Sequence, residues 1–300
     1  MLSEDDGATW RQLAPLKYST AVSGHQWRVL VWPKGDTERI LTACSPWAEP
    51  QNRVLLSEDG GKSFRMSRDG LPDYLPTANT MWGQSYARAL AADPKDPDTV
   101  YLGMDGDAEP DKGRCGGGIF KSTDGGYTWK QLPNQPASRR SFFALAVDPT
   151  DASRIFWGAC ANGGGLYRSE DAGATWKHVF KSESWVFNVL VTPSGTIYVP
   201  ASNLYRSTDH GNTWKQLTKF DYSVSIVGLE VDPQDEKCIW FSRVTWGSSS
   251  GGGVYRTTDG GGTWQEITGD IPYRKPLVLR YNPATRELWA GGVGLYKLKQ

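Results

Sequence analysis

Ser122-Thr123-Asp124-Gly125-Gly126-Tyr127-Thr128-Trp129 is the stretch that decides the fold of this chain. A hydroxyl and a carboxylate two residues apart can both accept hydrogen bonds from backbone N–H groups of their own turn. The glycine two residues after the aspartate supplies the positive φ that a tight hairpin needs. The closing aromatic ring is large enough to fill the space between two sheets. The stretch therefore predicts a turn that joins two strands and packs on a neighbouring sheet.

The same eight-residue pattern, which we call the box turn, occurs six times. Its copies span residues 3–10, 57–64, 122–129, 169–176, 207–214 and 257–264. Their aspartates are Asp5, Asp59, Asp124, Asp171, Asp209 and Asp259, and consecutive ones lie 54, 65, 47, 38 and 50 residues apart. Repeats of this size indicate propellers or solenoids. We predict a structural role for all six aspartates, because their own turns use the carboxylates.

A four-strand unit surrounds each interior copy. An apolar strand such as Ala87–Ala92 ends at an Asp-Pro turn, two further strands lead into the box turn, and a fourth such as Thr128–Leu132 leaves it. A four-stranded antiparallel sheet of this length is one propeller blade. No segment shows a helical period. The sequence thus predicts an all-β, six-bladed β-propeller that forms a single domain over residues 1–300.

The two ends of the chain complement each other. The N-terminus opens on a box turn and a fourth strand, Thr9–Leu13, whereas the C-terminus supplies three strands, Leu277–Tyr281, Glu287–Ala290 and Gly294–Lys299. We therefore predict that the last blade is closed by N- and C-terminal strands, which removes a free sheet edge.

Composition excludes several classes of partner. The 33 acidic and 33 basic residues cancel, so we expect no nucleic acid partner and no binding to an anionic membrane surface. No apolar run reaches membrane-spanning length, and no signal peptide precedes the first box turn. The scattered histidines argue against zinc. Cys115 and Cys160 can form a disulfide between neighbouring blades, or they stay thiols as expected for Cys44 and Cys238.

The box turn resembles the Asp box, or bacterial neuraminidase repeat. That repeat is found in sialidases, xyloglucan-specific glycoside hydrolases, sortilin-type receptors and a photosystem II assembly factor. The resemblance covers the whole chain and implies a monomeric, exported protein, extracellular or periplasmic. It also implies a ligand site on the face opposite the box turns, where loops from all blades meet.

Two members of this superfamily can be compared by motif. Sialidases carry an early Arg-Ile-Pro motif, but here the only Ile-Pro is Ile271-Pro272, preceded by Asp270, so classical sialidase activity is not expected. The Asp93-Pro94-Lys95-Asp96-Pro97 turn is more similar to the xyloglucanase group. Those enzymes use two seven-bladed propellers facing one cleft, so their catalytic aspartates cannot be transferred to this chain.

The loops of the predicted ligand face are rich in aromatic residues and arginine. Aromatic rings stack on the apolar faces of sugars, although the same rings can equally pack the loops. The candidate ligand-binding residues are Trp47, Trp82, Trp185, Trp246, Tyr74, Tyr222, Arg140 and Arg274.

The same loops carry acidic residues. Glycoside hydrolysis needs two carboxylates, and we name Asp73, Asp105 and Glu183 as catalytic candidates. We expect no cofactor, except that the alternating oxygens of Asp105, Asp107, Glu109 and Asp111 are one possible calcium site. On first strands of adjacent blades, Glu230 and Arg280 each lie three residues before their turn and are expected to pair.

Three functions are compatible with this sequence. The first is a glycoside hydrolase-like protein that acts on a polysaccharide or glycan. The alternatives are a non-catalytic glycan-binding module and a protein-binding scaffold or assembly factor, because one fold hosts many functions. A hydrolase requires paired carboxylates on the ligand face, whereas a binding module requires only exposed aromatic rings.

Overall fold

The computed structural model describes residues 2–11, 13, 25–45, 54–72, 86–105, 117–136, 142–159, 164–181, 185–220, 224–245 and 251–299. Over these ranges the chain is all-β and contains no helix, so none that is long and apolar enough to cross a membrane. It forms the six antiparallel sheets of a six-bladed propeller, with four strands in five of them. The predicted fold class is confirmed.

The chain divides into two compact units, and the first comprises residues 1–135 and 139–145. It contains blades 1 and 2, each a sheet whose strands follow in chain order. Blade 1 consists of β1 (His25–Lys34), β2 (Thr37–Ser45), β3 (Val54–Ser57) and β4 (Arg65–Met66). Blade 2 consists of β5 (Ala87–Ala92), β6 (Val100–Met104), β7 (Gly118–Ser122) and β8 (Lys130–Gln131).

The second unit comprises residues 136–138 and 146–300. Blade 3 consists of β9 (Phe142–Val147), which crosses the unit boundary, β10 (Ile155–Ala159), β11 (Gly165–Ser169) and β12 (Lys177–Lys181). Blade 4 consists of β13 (Leu190–Val191), β14 (Ile197–Pro200), β15 (Leu204–Ser207) and β16 (Lys215–Gln216). Blade 5 consists of β17 (Val224–Val231), β18 (Ile239–Thr245), β19 (Gly253–Thr257) and β20 (Gln265–Glu266).

Blade 6 has three strands among the described residues, β21 (Val278–Asn282), β22 (Glu287–Gly292) and β23 (Gly294–Lys299). In the first unit, Leu2 and Arg11 form a bridge with each other. The closure of the last blade by both termini and the single domain over residues 1–300 stay predictions.

Apolar side chains are buried on both faces of the blades, because each sheet packs between neighbours. Leu41, Leu56, Leu90 and Leu102 belong to one core in the first unit. The second unit contains two such cores, one around Leu229 and Phe241 and one around Trp240 and Leu279. Each such side chain contributes about 1.5–3 kcal/mol by leaving water. Packing of this kind, rather than strand length, holds the short outer strands in place.

The box turn of blade 3 shows how these turns are held. Asp171 accepts the Thr175 N–H at Oδ1 (2.7 Å) and the Thr175 hydroxyl at Oδ2 (2.6 Å). The Ser169 hydroxyl donates to the same carboxylate (2.7 Å) and accepts the Gly173 N–H (2.8 Å). Gly173 has a φ of 92°, which favours glycine. Both ends of the turn are therefore fixed by one carboxylate and one hydroxyl.

The other five turns repeat this arrangement, and their aspartates have acidic pKa values. Hydrogen bonds from the Ser63, Thr175 and Thr213 side chains lower the pKa of Asp59, Asp171 and Asp209 to about 2. Burial opposes the shift at Asp124, but hydrogen bonds still bring its pKa to about 2. The pKa values of Asp5 and Asp259 are lowered in the same way.

Tryptophans of the box turns tie neighbouring blades together. The Trp214 indole N–H donates to the Val179 carbonyl of the preceding blade (3.0 Å), and Trp264 donates to Leu217 (3.2 Å). In the first unit Trp129 donates to the Ser67 hydroxyl (2.7 Å). Trp10 differs, because its indole donates to Gly7 of its own turn (3.0 Å).

We predict that Trp214→Phe lowers the free energy of unfolding by about 1 kcal/mol, because it removes the indole bond to Val179. Trp10→Phe is the matched control. Its indole bond lies within one turn and its side chain is 44% exposed, so the expected change is below about 0.5 kcal/mol. Urea unfolding of both variants measures the difference. Equal losses would show that the bond between blades adds nothing.

Candidate functional site

Each sheet has two chemically different ends. One end carries the turn between the first and second strands together with the box turn, and we call it the box end. The other carries the loop between the second and third strands and the start of the first strand, and we call it the open end. The aspartates of the box turns are used by their own turns, so the open end is where free chemistry is first expected.

In the first unit, a β-bulge places an arginine at the open end of blade 2. The pairing of β5 with β6 shifts between Ala87 and Ala89, which leaves Arg88 in the bulge. The pairing of β1 with β2 shifts at the corresponding place, which leaves Trp27 in a bulge. The Arg88 guanidinium carbon lies 4.3 Å from the centre of the Trp27 ring. Bulges re-aim side chains in this way, and they are frequent beside active sites.

Arg88 binds the catalytic candidate Asp105. Arg88 Nε donates to Asp105 Oδ2, and both side chains are buried, with 5% and 0% of their surfaces exposed. The Asp105 N–H also donates to the Tyr86 carbonyl (2.8 Å). The guanidinium thus lies between an aromatic ring and a carboxylate. This arrangement fixes the chain directly after β6.

We predict that Arg88→Met costs about 3–5 kcal/mol of stability, because it leaves the buried Asp105 carboxylate without its cation. The double variant Arg88→Met/Asp105→Leu removes both charges and should lose much less than the two single variants together. Chemical unfolding of all three gives the coupling free energy. Strict additivity would mean that the two side chains do not interact.

In the second unit, the open end of blade 5 carries two arginines. The Arg243 guanidinium carbon lies 4.4 Å from the Phe220 ring centre, and Arg243 Nε is buried without a hydrogen-bond partner. Arg274, one of the predicted ligand-binding residues, forms an ion pair with Glu266, which also accepts a hydrogen bond from Thr268 (2.9 Å). Arg274 is therefore held in place by a carboxylate at the surface.

Trp185, another predicted ligand-binding residue, lies in the connection from blade 3 to blade 4. Its ring packs 5.5 Å from that of Phe187, at an interplanar angle of 48°. Tyr273, before blade 6, has 42% of its surface exposed. These rings offer stacking surface of the kind that sugars use.

Glu230 and Arg280 pair as their positions predict. Arg280 Nη1 donates to Glu230 Oε1 at 2.6 Å, from the first strand of blade 6 to that of blade 5. Burial raises the pKa of Glu230, and the Arg280 charge only partly offsets it. A carboxyl group of this kind holds a proton at a higher pH than an exposed glutamate.

The raised pKa of Glu230 has a consequence for stability. Because the folded protein binds this proton more tightly than the unfolded chain, stability gained from it is present below about pH 4.5 and is lost as the pH rises through the folded pKa. We predict that Glu230→Gln flattens this part of the stability–pH profile. The exposed Glu38→Gln is the control. If Glu230→Gln kept the stability–pH profile of the wild type, Glu230 would not be the cause of this pH dependence.

Most of the other predicted site residues lie outside the described residues. They are Asp73, Glu183, Trp47, Trp82, Trp246, Tyr74, Tyr222 and Arg140, and Cys115 and Cys160 with them. Asp107, Glu109 and Asp111 also lie there, so the calcium site stays a prediction. Within the described ranges, no group of three or more histidine, cysteine, aspartate or glutamate side chains is placed to hold a metal. Cys44 is buried on β2, and Cys238 is a thiol next to β18.

Sequence reasoning did not single out the contacts of Trp27 and Phe220 with arginine. The sequence predicts that Trp27 packs against a first strand, and no residue near it indicates a β-bulge. The one available signal is Arg88, a charged residue inside the otherwise apolar Ala87–Ala92 strand, because charge is rarely buried without a partner.

Comparison with known proteins supports a likeness to xyloglucanases over part of the chain. No protein family profile matches it. A xyloglucanase of Acetivibrio thermocellus is 30% identical over 105 residues, which are 34% of this chain and 11% of that protein. A xyloglucanase of a Paenibacillus species is 39% identical over 85 residues, 26% of this chain and 8% of that protein. The matches thus span only about a tenth of the length of these relatives.

Solved structures show a similar fold. An ancestral GH74 enzyme superposes with a TM-score of 0.69 at 18% identity, covering 91% of this chain and 36% of that one. The GH74 xyloglucanase of Xanthomonas campestris gives 0.68 at 20% identity, covering 86% and 43%. The extracellular domain of a one-component system of B. thetaiotaomicron gives 0.60 at 13% identity, covering 90% and 33%. This chain therefore has a propeller fold similar to that of GH74 enzymes.

Proposed function

We propose that this chain is a carbohydrate-active propeller of the glycoside hydrolase type that acts on a β-linked plant polysaccharide such as xyloglucan. The observation that carries the proposal is the 30–39% identity to xyloglucanases over 85–105 residues. The described groups of the open ends are compatible with it, because they combine arginines and aromatic rings. In this proposal the protein is exported and monomeric.

The proposed site lies at the open ends of the blades. Trp185, Tyr273 and the guanidinium of Arg243 on Phe220 supply planar surfaces for sugar rings. Arg274, held by Glu266, supplies hydrogen-bond donors for sugar hydroxyls. The remaining proposed contacts are Trp47, Trp82, Trp246, Tyr74, Tyr222 and Arg140.

Hydrolysis requires one carboxyl group that protonates the leaving oxygen and another that acts as base or nucleophile. We propose that two of the three candidates Asp73, Asp105 and Glu183 provide this pair. Asp105 is the candidate with a described environment, and Arg88 fixes its position at the end of β6. Its partner has to approach from a loop, since productive carboxyl groups lie about 5–9.5 Å apart.

A non-catalytic glycan-binding module is the second candidate. The complete burial of Asp105 against Arg88 favours it, because a buried ion pair of this kind also serves structure alone. Stacking rings without a productive carboxylate pair bind a polysaccharide without cleaving it.

One experiment separates these functions. Wild-type protein is incubated with xyloglucan, other β-glucans, xylans and bacterial polysaccharides, while bound protein and released reducing ends are both measured. For a hydrolase, we expect release that falls at least 100-fold in Asp105→Asn or Asp73→Asn and persists in Asp36→Asn. Asp36 is exposed in the β1–β2 turn at the box end, so it is a matched control.

The remaining outcomes are also decisive. Binding without release, weakened by Trp185→Ala, would establish a binding module and remove the hydrolase proposal. No binding and no release on any polysaccharide would contradict both carbohydrate functions and favour a protein-binding scaffold.

A further inference from the structure

The box end of blades 4 and 5 contains a cleft that the proposed function does not use. It lies between β14 and β15 on one side and the turn before β18 on the other, and its volume is about 320 Å³. Sites for small molecules begin at about this size. Thr196, Tyr198, Arg206, Thr208, Glu236 and Lys237 line it.

The neighbouring blade pair shows how such a space is normally filled. Between blades 3 and 4, Arg154 Nη1 donates to Asp148 (2.9 Å) and lies 3.1 Å from His210 Nδ1. Arg168 donates to the His210 carbonyl (2.5 Å) and to Asn212 (3.1 Å). Arginine, histidine and asparagine side chains therefore occupy the space between these two blades.

Equivalent positions of blades 4 and 5 carry smaller residues. Ile155 pairs with Ser169 as Ile197 pairs with Ser207, so the two strand pairs align residue by residue. By this alignment Thr196 replaces Arg154, Thr208 replaces Glu170 and Gly260 replaces His210. A Cβ atom added at Gly260 would have one neighbour within 4 Å, Arg206 Nη1 at 3.6 Å. The cleft thus lies where three positions carry smaller side chains than in blades 3 and 4.

The polar groups of the cleft are balanced in charge. Arg206 donates to the Gly260 carbonyl (3.4 Å) and lies beside the Tyr198 hydroxyl, and Lys237 lines the cleft with it. Glu236 accepts hydrogen bonds from the Ser194 hydroxyl (2.7 Å) and N–H (3.3 Å). Asp235 brings a second carboxylate. Two cations and two carboxylates do not select an anion, whereas donors and acceptors side by side match the hydroxyl groups of a neutral sugar.

We propose that this cleft binds one neutral pyranose unit, at the box end and separate from the site proposed above. Arg206 and Lys237 donate to ring hydroxyls, while Glu236 and the Thr196 and Thr208 hydroxyls accept from them. The floor is the Tyr198 side chain, which is almost fully buried. Such a site contacts a single sugar unit of a polysaccharide chain, so we expect a dissociation constant on the order of millimolar.

Gly260 provides the test. Its φ is 73°, and His210 adopts a φ of 59° and Ala172 one of 57° at the same place in their box turns. Gly260→His therefore copies the filled cleft, and Gly260→Ala keeps the backbone while adding one methyl group. Binding of methyl β-xyloside and methyl β-glucoside is measured by ligand-observed NMR, with inorganic phosphate and glucuronate as anionic probes.

We expect the alanine variant to bind the neutral probes within about twofold of wild type, and the histidine variant to bind them at least tenfold more weakly. If Gly260→His does not fold, Thr208→Glu, which copies the Glu170–Arg168 pair, is expected to show the same loss. Unchanged binding in folded Gly260→His or folded Thr208→Glu, or no binding to wild type, overturns the proposal. Binding of phosphate or glucuronate in preference to the neutral glycosides also overturns it. These variants lie at the box end. Weaker binding of the neutral glycosides together with unchanged release of reducing ends from polysaccharide would therefore distinguish this cleft from the site proposed at the open ends.

Discussion

The carboxylate of the box turn is the interaction on which the rest of the structure depends. In blade 3, Asp171 accepts a backbone N–H and two hydroxyls, so the connection between the third and fourth strands has one geometry. In blade 4 the same geometry at Asp209 places Trp214, whose indole reaches the previous blade. A local turn therefore determines a long-range contact. Because outer strands such as β16 contain two residues, strand pairing alone could not position them.

Much of the fold could be predicted because its determinants are local. The strand Ala87–Ala92 has the predicted bounds, since an apolar run that ends at an Asp-Pro turn marks it. The predicted fourth strand of blade 2, Thr128–Leu132, is shorter in the structure and spans Lys130–Gln131. Its first two residues are used by other interactions. Thr128 binds Asp124 and Trp129 N–H donates to the Asp69 carbonyl of blade 1.

The candidate site was less predictable, because its geometry depends on strand register. Arg88 and Trp27 meet because β1 and β5 each contain one extra residue near their open ends. A bulge changes which residues face each other, and although Arg88 indicates a buried partner, the sequence does not show where the bulge lies. The Glu230–Arg280 pair, by contrast, could be predicted. Each residue lies the same number of positions before a turn that contains proline, and no β-bulge separates either residue from its turn.

The box turn also explains how one end of a propeller blade can change its side chains while the turn keeps its backbone geometry. The residue between the aspartate and the glycine adopts φ values of 57–74° whether it is aspartate, alanine, histidine or glycine, as at Asp6, Ala172, His210 and Gly260. Its backbone is fixed by hydrogen bonds to the neighbouring aspartate and hydroxyl, and its side chain takes no part in them. This position can therefore vary while the turn is kept. His210 joins an arginine network in the space between blades 3 and 4, whereas Gly260 borders the cleft between blades 4 and 5. The constraint that maintains the fold thus leaves the shape and polarity of each gap between blades free to change.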